Sequence, residues 1–138
     1  MVDTAGRARS EGTEVTLRSK AMVLDFEGEC QVEHDGDSVR LTGVRLVAEL
    51  PDAGGPEDGG TVVLAQAGDS KQAGRDLVVP LEASVTQPGG KVRLTAVEDA
   101  RWTSGPGGGF ECAEVDFVLP EAPEATVLTV RGLIVRNS

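Results

Sequence analysis

The chain is short of the side chains that most often carry chemistry: one His, no Tyr, one Trp, three Phe and two Cys in 138 residues. One His and two Cys cannot build a His- or Cys-rich zinc site within a single chain. Basic residues are also scarce, 13 Lys and Arg against 23 Asp and Glu, for a net charge of −10. Affinity for phosphates comes mainly from Lys and Arg, so the balance argues against a nucleic-acid partner. Long apolar runs are missing too. No stretch approaches the roughly 18 residues of a membrane-spanning helix. Residues Met1 to Ser10 lack the apolar core of about 7–15 residues that marks a secretory signal. The expectation is a cytoplasmic protein with no membrane contact. Ten Arg against three Lys, nineteen Val against one Ile and a single Asn suggest a GC-rich genome.

What remains is a globular composition, 39% hydrophobic and 26% charged, in a chain of one domain's length. The 18 Gly and 7 Pro indicate frequent turns. Residues 1–12 are small, polar and unpatterned, and read as a disordered lead-in to a single domain over 13–136. From Thr13 onward the hydrophobic period is two. Val15, Leu17, Ser19 and Ala21 alternate with polar residues, and the phase then moves to Met22, Leu24 and Phe26, which predicts a bulge or a strand switch. Asp35-Gly36 lies between two alternating runs and predicts a two-residue hairpin. Its register pairs His34 with Asp37, Val32 with Val39 and Cys30 with Leu41. After Gly43 the phase shifts again, to Val44, Leu46, Ala48 and Leu50.

Residues 51–60 form a Gly- and Pro-rich loop. Further alternating runs follow at Thr61–Ala67, Leu77–Val85, Val92–Trp102, Ala113–Leu119 and Val127–Val135. Pro80 suggests an edge strand. No helical pattern occurs. The fold class is all-β, an antiparallel eight- or nine-stranded β-barrel or β-sandwich in one domain.

Cys30 and Cys112 sit in separate strands beside apolar neighbours and read as buried free thiols. A disulfide would need their Cα atoms within about 6 Å. A catalytic thiol would need a base, and His34 is the one candidate. His34 itself reads as part of an exposed hairpin tip. The acidic turns Glu33–Asp37 and Glu57-Asp58 match no calcium loop, so no metal is expected. Gly105-Pro-Gly-Gly-Gly109 lacks the Lys-Ser/Thr and the helix of a phosphate loop, and no Gly-x-Ser-x-Gly is present. No cofactor is expected.

The segment around Trp102 carries the candidate site. If residues 105–109 join their flanking strands so that paired residue numbers sum to 213, Leu94 faces Leu119 and Ala96 faces Phe117. Glu98, Trp102 and Glu111 then share the inner face. A carboxylate on an apolar face has its charged form disfavoured, which is how acids and bases are tuned. Glu98 and Glu111 are the candidate catalytic residues, Trp102, Arg101 and Phe110 the candidate ligand contacts, and residues 105–109 the candidate lid. In this register the two carboxylates stand roughly 13 Å apart, too far for a paired dyad. The structural alternative is that Trp102 plugs one end of the core while Glu98 reaches solvent.

The stretch Val39-Arg-Leu-Thr-Gly-Val-Arg-Leu-Val-Ala-Glu-Leu-Pro51, with Gly59-Gly-Thr-Val-Val-Leu-Ala-Gln66, resembles small bacterial all-β proteins of unassigned function. In size and strand count the chain is similar to cofactor-free cyclase barrels of the allene oxide cyclase-like and spirotetronate cyclase kinds. That resemblance implies a polyketide-like or lipid substrate folded for ring closure inside the barrel. Two functions are carried forward. The first is a barrel for a small hydrophobic molecule, in its enzymatic form a cofactor-independent cyclase or isomerase. The second is a non-enzymatic interaction or assembly module that pairs through a strand edge or a sheet face, with room for a homodimer.

Overall fold

A computed structural model describes residues 2–51, 59–104 and 109–137, with the backbone alone for residues 2–6, 34, 35 and 137. Eleven strands run in chain order: β1 (Val2–Leu17), β2 (Lys20–Asp35), β3 (Ser38–Glu49), β4 (Thr61–Gln66), β5 (Lys71–Ala73), β6 (Asp76–Val79), β7 (Leu81–Gln87), β8 (Gly90–Ala96), β9 (Ala100–Ser104), β10 (Phe110–Leu119) and β11 (Ala122–Asn137). Eight of them, in the order β11-β1-β2-β3-β4-β7-β8-β10, close into an antiparallel barrel because β10 also pairs with β11. The other three, β9, β6 and β5, extend from β10. No helix long and apolar enough to cross a membrane occurs among the described residues.

The three extra strands continue strands of the barrel. β5 follows β4, β6 precedes β7 and β9 follows β8, each across a short break at residues 67–70, at Pro80 and at residues 97–99. The chain is thus an up-and-down meander whose middle strands are interrupted half-way. The lower half ends in the turns at Arg18-Ser19, Pro88-Gly89 and Pro120-Glu121; the upper half ends in the turns at Gly36-Asp37 and Gly74-Arg75. Pro80 is therefore interior to the sheet. Having no N–H to give, it marks the point where the partner changes, and its carbonyl accepts from Ala67 N at 2.8 Å.

Four of the uninterrupted strands shift phase at the same level. Burial steps from Ser10 to Thr13 in β1, from Leu41 to Val44 in β3, from Cys112 to Val115 in β10 and from Val130 to Leu133 in β11. Each step leaves two successive residues facing out. Three of these pairs hold a glycine in the left-handed region, Gly12 (φ 65°), Gly43 (φ 63°) and Gly132 (φ 64°), the conformation that glycine-containing bulges use. Bulges coil a sheet and let it close. Gly28 on β2 serves closure differently: a Cβ there would lie 1.6 Å from the Arg45 carbonyl oxygen, so β3 passes too close for any side chain.

Apolar side chains line the interior. Phe26, Phe117, Trp102, Leu41, Leu46, Leu64, Leu128 and Leu133 are fully buried, and a side chain of this size contributes about 1.5–3 kcal/mol over its exposed state. The buried polar pair Ser10 and Thr13 is satisfied internally: their hydroxyls bond each other, and Ser10 Oγ accepts from Ile134 N at 3.2 Å.

Three expectations change. Residues 2–12 are no loose lead-in; they pair with β2, and part of the segment also pairs with β11, leaving Ala8 and Ser10 buried. The phase change near Ala21 is the β1–β2 turn itself. Arg18 (φ 48°) and Ser19 (φ 72°) occupy left-handed conformations that a sequence reading assigns to Asn and Gly. The β2–β3 turn is centred on Gly36-Asp37, so Asp35 pairs with Ser38, His34 with Val39 and Val32 with Leu41. That slip of two residues preserves the faces, because the side-chain period is two.

Candidate functional site

Trp102 is on β9, between Leu77 of β6 and Cys112 of β10. Gln72 of β5 pairs with Leu77, and Leu133 of β11 pairs with Cys112, so one cross-strand row reads Gln72, Leu77, Trp102, Cys112, Leu133. Trp102 has no exposed surface, and its Nε1–H has no hydrogen-bond acceptor among the described residues. Phe110 lies one inward position along β10 from Cys112 and is buried as well. An unpaired buried donor destabilises by about 1–3 kcal/mol, and among the described residues this indole N–H is the buried side-chain polar group with no partner.

The other three candidate residues lie outside. Glu98 is exposed in the break at 97–99. Alternation from Leu94 and Ala96 aims it inward, but the chain leaves the strand there. Val97 N donates to Asp116 O at 2.8 Å, and Glu98 and Asp99 turn to water. That geometry avoids the burial of a carboxylate. The break also changes the register. Ala96 pairs with Phe117 as expected, but beyond the break Trp102 pairs with Cys112, and Glu111 pairs with Thr103. A one-residue slip moves a side chain to the opposite face, so Glu111 is exposed. Arg101 faces out and forms an ion pair with Asp76 at 2.9 Å, while Thr103 Oγ1 donates to the same carboxyl at 3.0 Å. The Arg101 and Thr103 hydrogen bonds hold Asp76 below the usual carboxylate range. The structure thus brings Trp102 and Phe110 together and leaves Glu98, Glu111 and Arg101 on the outer surface. Residues 105–108 of the expected lid lie outside the described residues, as does the His34 side chain.

Cys30 and Cys112 are buried and not joined in a disulfide. Burial raises both thiols, Cys112 to about 11, against a smaller opposing effect of hydrogen bonds from the Glu114 and Arg101 backbone. Buried protonated thiols are poor nucleophiles.

The upper half contains a group of residues that the sequence did not single out. On its upper stretch β3 has no main-chain partner toward β5 among the described hydrogen bonds; three side chains take that place. Gln72 accepts from Val39 N at 2.8 Å and donates to Asp37 O at 3.4 Å. Ser70 accepts from Leu41 N at 3.1 Å. Gln66 accepts from Val44 N at 3.3 Å and donates to Leu41 O at 2.9 Å. Gln66 thus bonds one N–H and one C=O of β3, as a peptide unit of a neighbouring strand would, and Gln72 bonds one N–H of β3 and a C=O of the turn before it. In sequence Gln66 falls in the alternating run Thr61–Ala67, and Ser70 and Gln72 in the polar residues before Leu77; the signal is the two amides with a Ser between them.

The described clefts are open to solvent, and Trp102 lines none of them. One of about 470 Å³ lies over the outer face of β1, β2 and β3 beside Gly28, where the register sets Glu29 between Arg7 and Arg45. It meets a second of about 720 Å³ at Glu27 and Val47. A third, of about 170 Å³ at the lower mouth, has Leu17, Met22 and Leu50 beside Arg18 and Lys20. No group of three His, Cys, Asp or Glu converges on a metal position among the described residues.

Compared with family models, curated proteins and solved structures, the chain matches none. Function is argued from the geometry alone.

Proposed function

We propose that the protein is a small-molecule-binding barrel whose ligand is held in the upper half against Trp102. The observation that carries this reading is the buried indole N–H, which has no partner among the described residues. A ligand carbonyl or hydroxyl oxygen would complete it, and the apolar surroundings of Leu77, Phe110 and Leu133 suit a small hydrophobic body. Eight-stranded barrels are wide enough either to be filled by side chains or to hold one small ligand. In its enzymatic form the barrel would be a cofactor-free cyclase or isomerase that works by holding its substrate in a reactive fold. Glu98 and Glu111 take no part at the indole in this reading, because both face water.

The chain's single Trp makes the test direct. Titration with a panel of lipophilic ketones and lactones is expected to shift or quench Trp102 emission saturably, with Trp102→Phe abolishing binding measured by calorimetry. No change across the panel overturns the reading.

A second reading, an interaction module, is favoured by the outer face of β2, where Val23 is 63% exposed beside the paired clefts. Barrel closure removes most strand edges, so this form uses the sheet face, and a second copy is the partner it fits. Val23→Glu would then convert a dimer to a monomer in analytical ultracentrifugation; a natural chain that sediments as a monomer removes that form.

A further inference from the structure

We propose that the seam between β3 and β5 is a lateral gate through which ligand reaches Trp102; the inference rests on the ligand-binding reading and names how that site is reached. Among the described residues every other pair of neighbouring strands in the barrel wall is joined by main-chain pairing, which must break for the wall to open. At this seam the wall is held by the side chains of Gln66, Ser70 and Gln72. Gln72 is exposed, and Gln66 and Ser70 are half-buried, so water can replace each of their bonds as the side chains rotate. The β3 groups released would be solvated without any change of backbone fold.

The seam is also in the right place. Gln72 heads the cross-strand row that continues through Leu77 to Trp102. Two strand spacings separate Gln72 from Trp102, roughly 10 Å. Buried Leu41 borders the seam from the β3 side. An outward swing of β5, with the β6–β9 ladder kept, would uncover an apolar path beside Leu77 toward the indole N–H. β5 resists this weakly, since it has three residues, all exposed, and its one main-chain partner is β6. The carboxamides thus act as latches: closed, they mimic a strand and protect the edge of β3; open, they leave the core accessible without exposing an unsatisfied ladder.

Acrylamide quenching of Trp102 tests the gate without any ligand. The double variant Gln66→Ala, Gln72→Ala is expected to raise the bimolecular quenching constant about ten-fold, the factor that corresponds to losing one net hydrogen bond. Far-UV circular dichroism should be unchanged, and Gln87→Ala at the opposite end should leave quenching as it was. If the double variant does not fold, hydrogen exchange on the natural chain decides. The amides of Val39 and Leu41, which donate to side chains, should exchange about ten-fold faster than those of Arg40 and Thr42, which face β2. Unchanged quenching in a folded double variant, or equal exchange at the four amides, overturns the gate. The two proposals separate cleanly. Raised quenching with no ligand bound by the natural chain supports the gate and removes the ligand reading; ligand association at the same rate in both chains removes the gate and retains the reading.

Discussion

The lower half of the barrel is closed by main chain all the way round, whereas the upper half is closed at one point by three side chains. Both halves share β1, β2, β3, β10 and β11, and both have a fully buried aromatic at their centre, Phe117 below and Trp102 above. The halves differ in what completes them. Below, β4, β7 and β8 fill the remaining arc with main-chain ladders, short only where β8 meets β10. Above, β9, β6 and β5 are shorter, and β5 makes no main-chain ladder with β3 among the described residues. The upper half also contains the unpaired indole and both buried thiols. The difference teaches that a barrel can gather its unfulfilled polar chemistry in the half whose wall is least expensive to open.

The largest expected effect concerns the junction of the halves. Gly28→Ala places a methyl 1.6 Å from the Arg45 carbonyl and 2.9 Å from Leu46 Cα, so β2 and β3 must separate. A loss of about 3 kcal/mol in denaturant unfolding, or no folded protein at all, is expected. A loss below about 1 kcal/mol would mean that the close approach does not hold the halves together.

Next comes a matched pair of truncations. Leu64 in the lower half and Leu77 in the upper half are 1% and 3% exposed. Leu64→Ala should lower stability by about 3–4 kcal/mol and Leu77→Ala by about 2 kcal/mol, because the short upper strands can settle into the space. Equal losses, measured by urea unfolding, would break the comparison between the halves.

The smallest effects are set by pH, and both fall in the upper half. The Cys112 pKa is raised to about 11, so the folded state keeps its proton where the unfolded chain releases it. Stability from this group is complete below about pH 9 and declines as pH rises through about 11; Cys112→Ala should flatten that alkaline decline in Tm. Asp76 is shifted the other way. Its lowered pKa contributes stability above its ordinary value of 3.8, lost as pH falls through the depressed folded value, and Asp76→Asn should remove that part of the acid limb. An unchanged alkaline limb in the Cys variant would remove burial as the cause.

Much of the fold could be read from period-two patterning, since alternation depends only on which face meets the core. Val32, Leu41, Leu64, Ala83 and Leu94 point inward as their phase requires. The points that escaped are those where the period breaks. Arg18-Ser19 turns the chain with residues of no turn signature, so two strands looked like one with a shifted phase. Gly12 and Gly132 are bulges that alternation alone does not number, although a glycine inside an alternating run is their usual sign. The candidate site failed for the same reason. Trp102 lies inside as read, but the break at 97–99 carries Glu98 out, and the slipped register turns Glu111 out and Phe110 in. Two adjacent acids, Glu98 and Asp99, in an otherwise apolar face were the warning. The latches at Gln66, Ser70 and Gln72 could not be read at all, because their role depends on β5 lying beside β3 without a ladder to it.

The pairing of β1 with β11 also sets an order in time. Val15 and Val130 are partners, and Ser10 receives its bond from Ile134, so the first strand waits for the last before its edge is covered. On a ribosome the apolar face of β1 is finished long before the strand that closes the barrel emerges. Contacts of such long sequence separation form slowly, and an uncovered edge in the interval invites pairing with other chains. The charged outward residues Arg9 and Glu11 and the bulge at Gly12 fall on that waiting strand, where they discourage an early wrong partner.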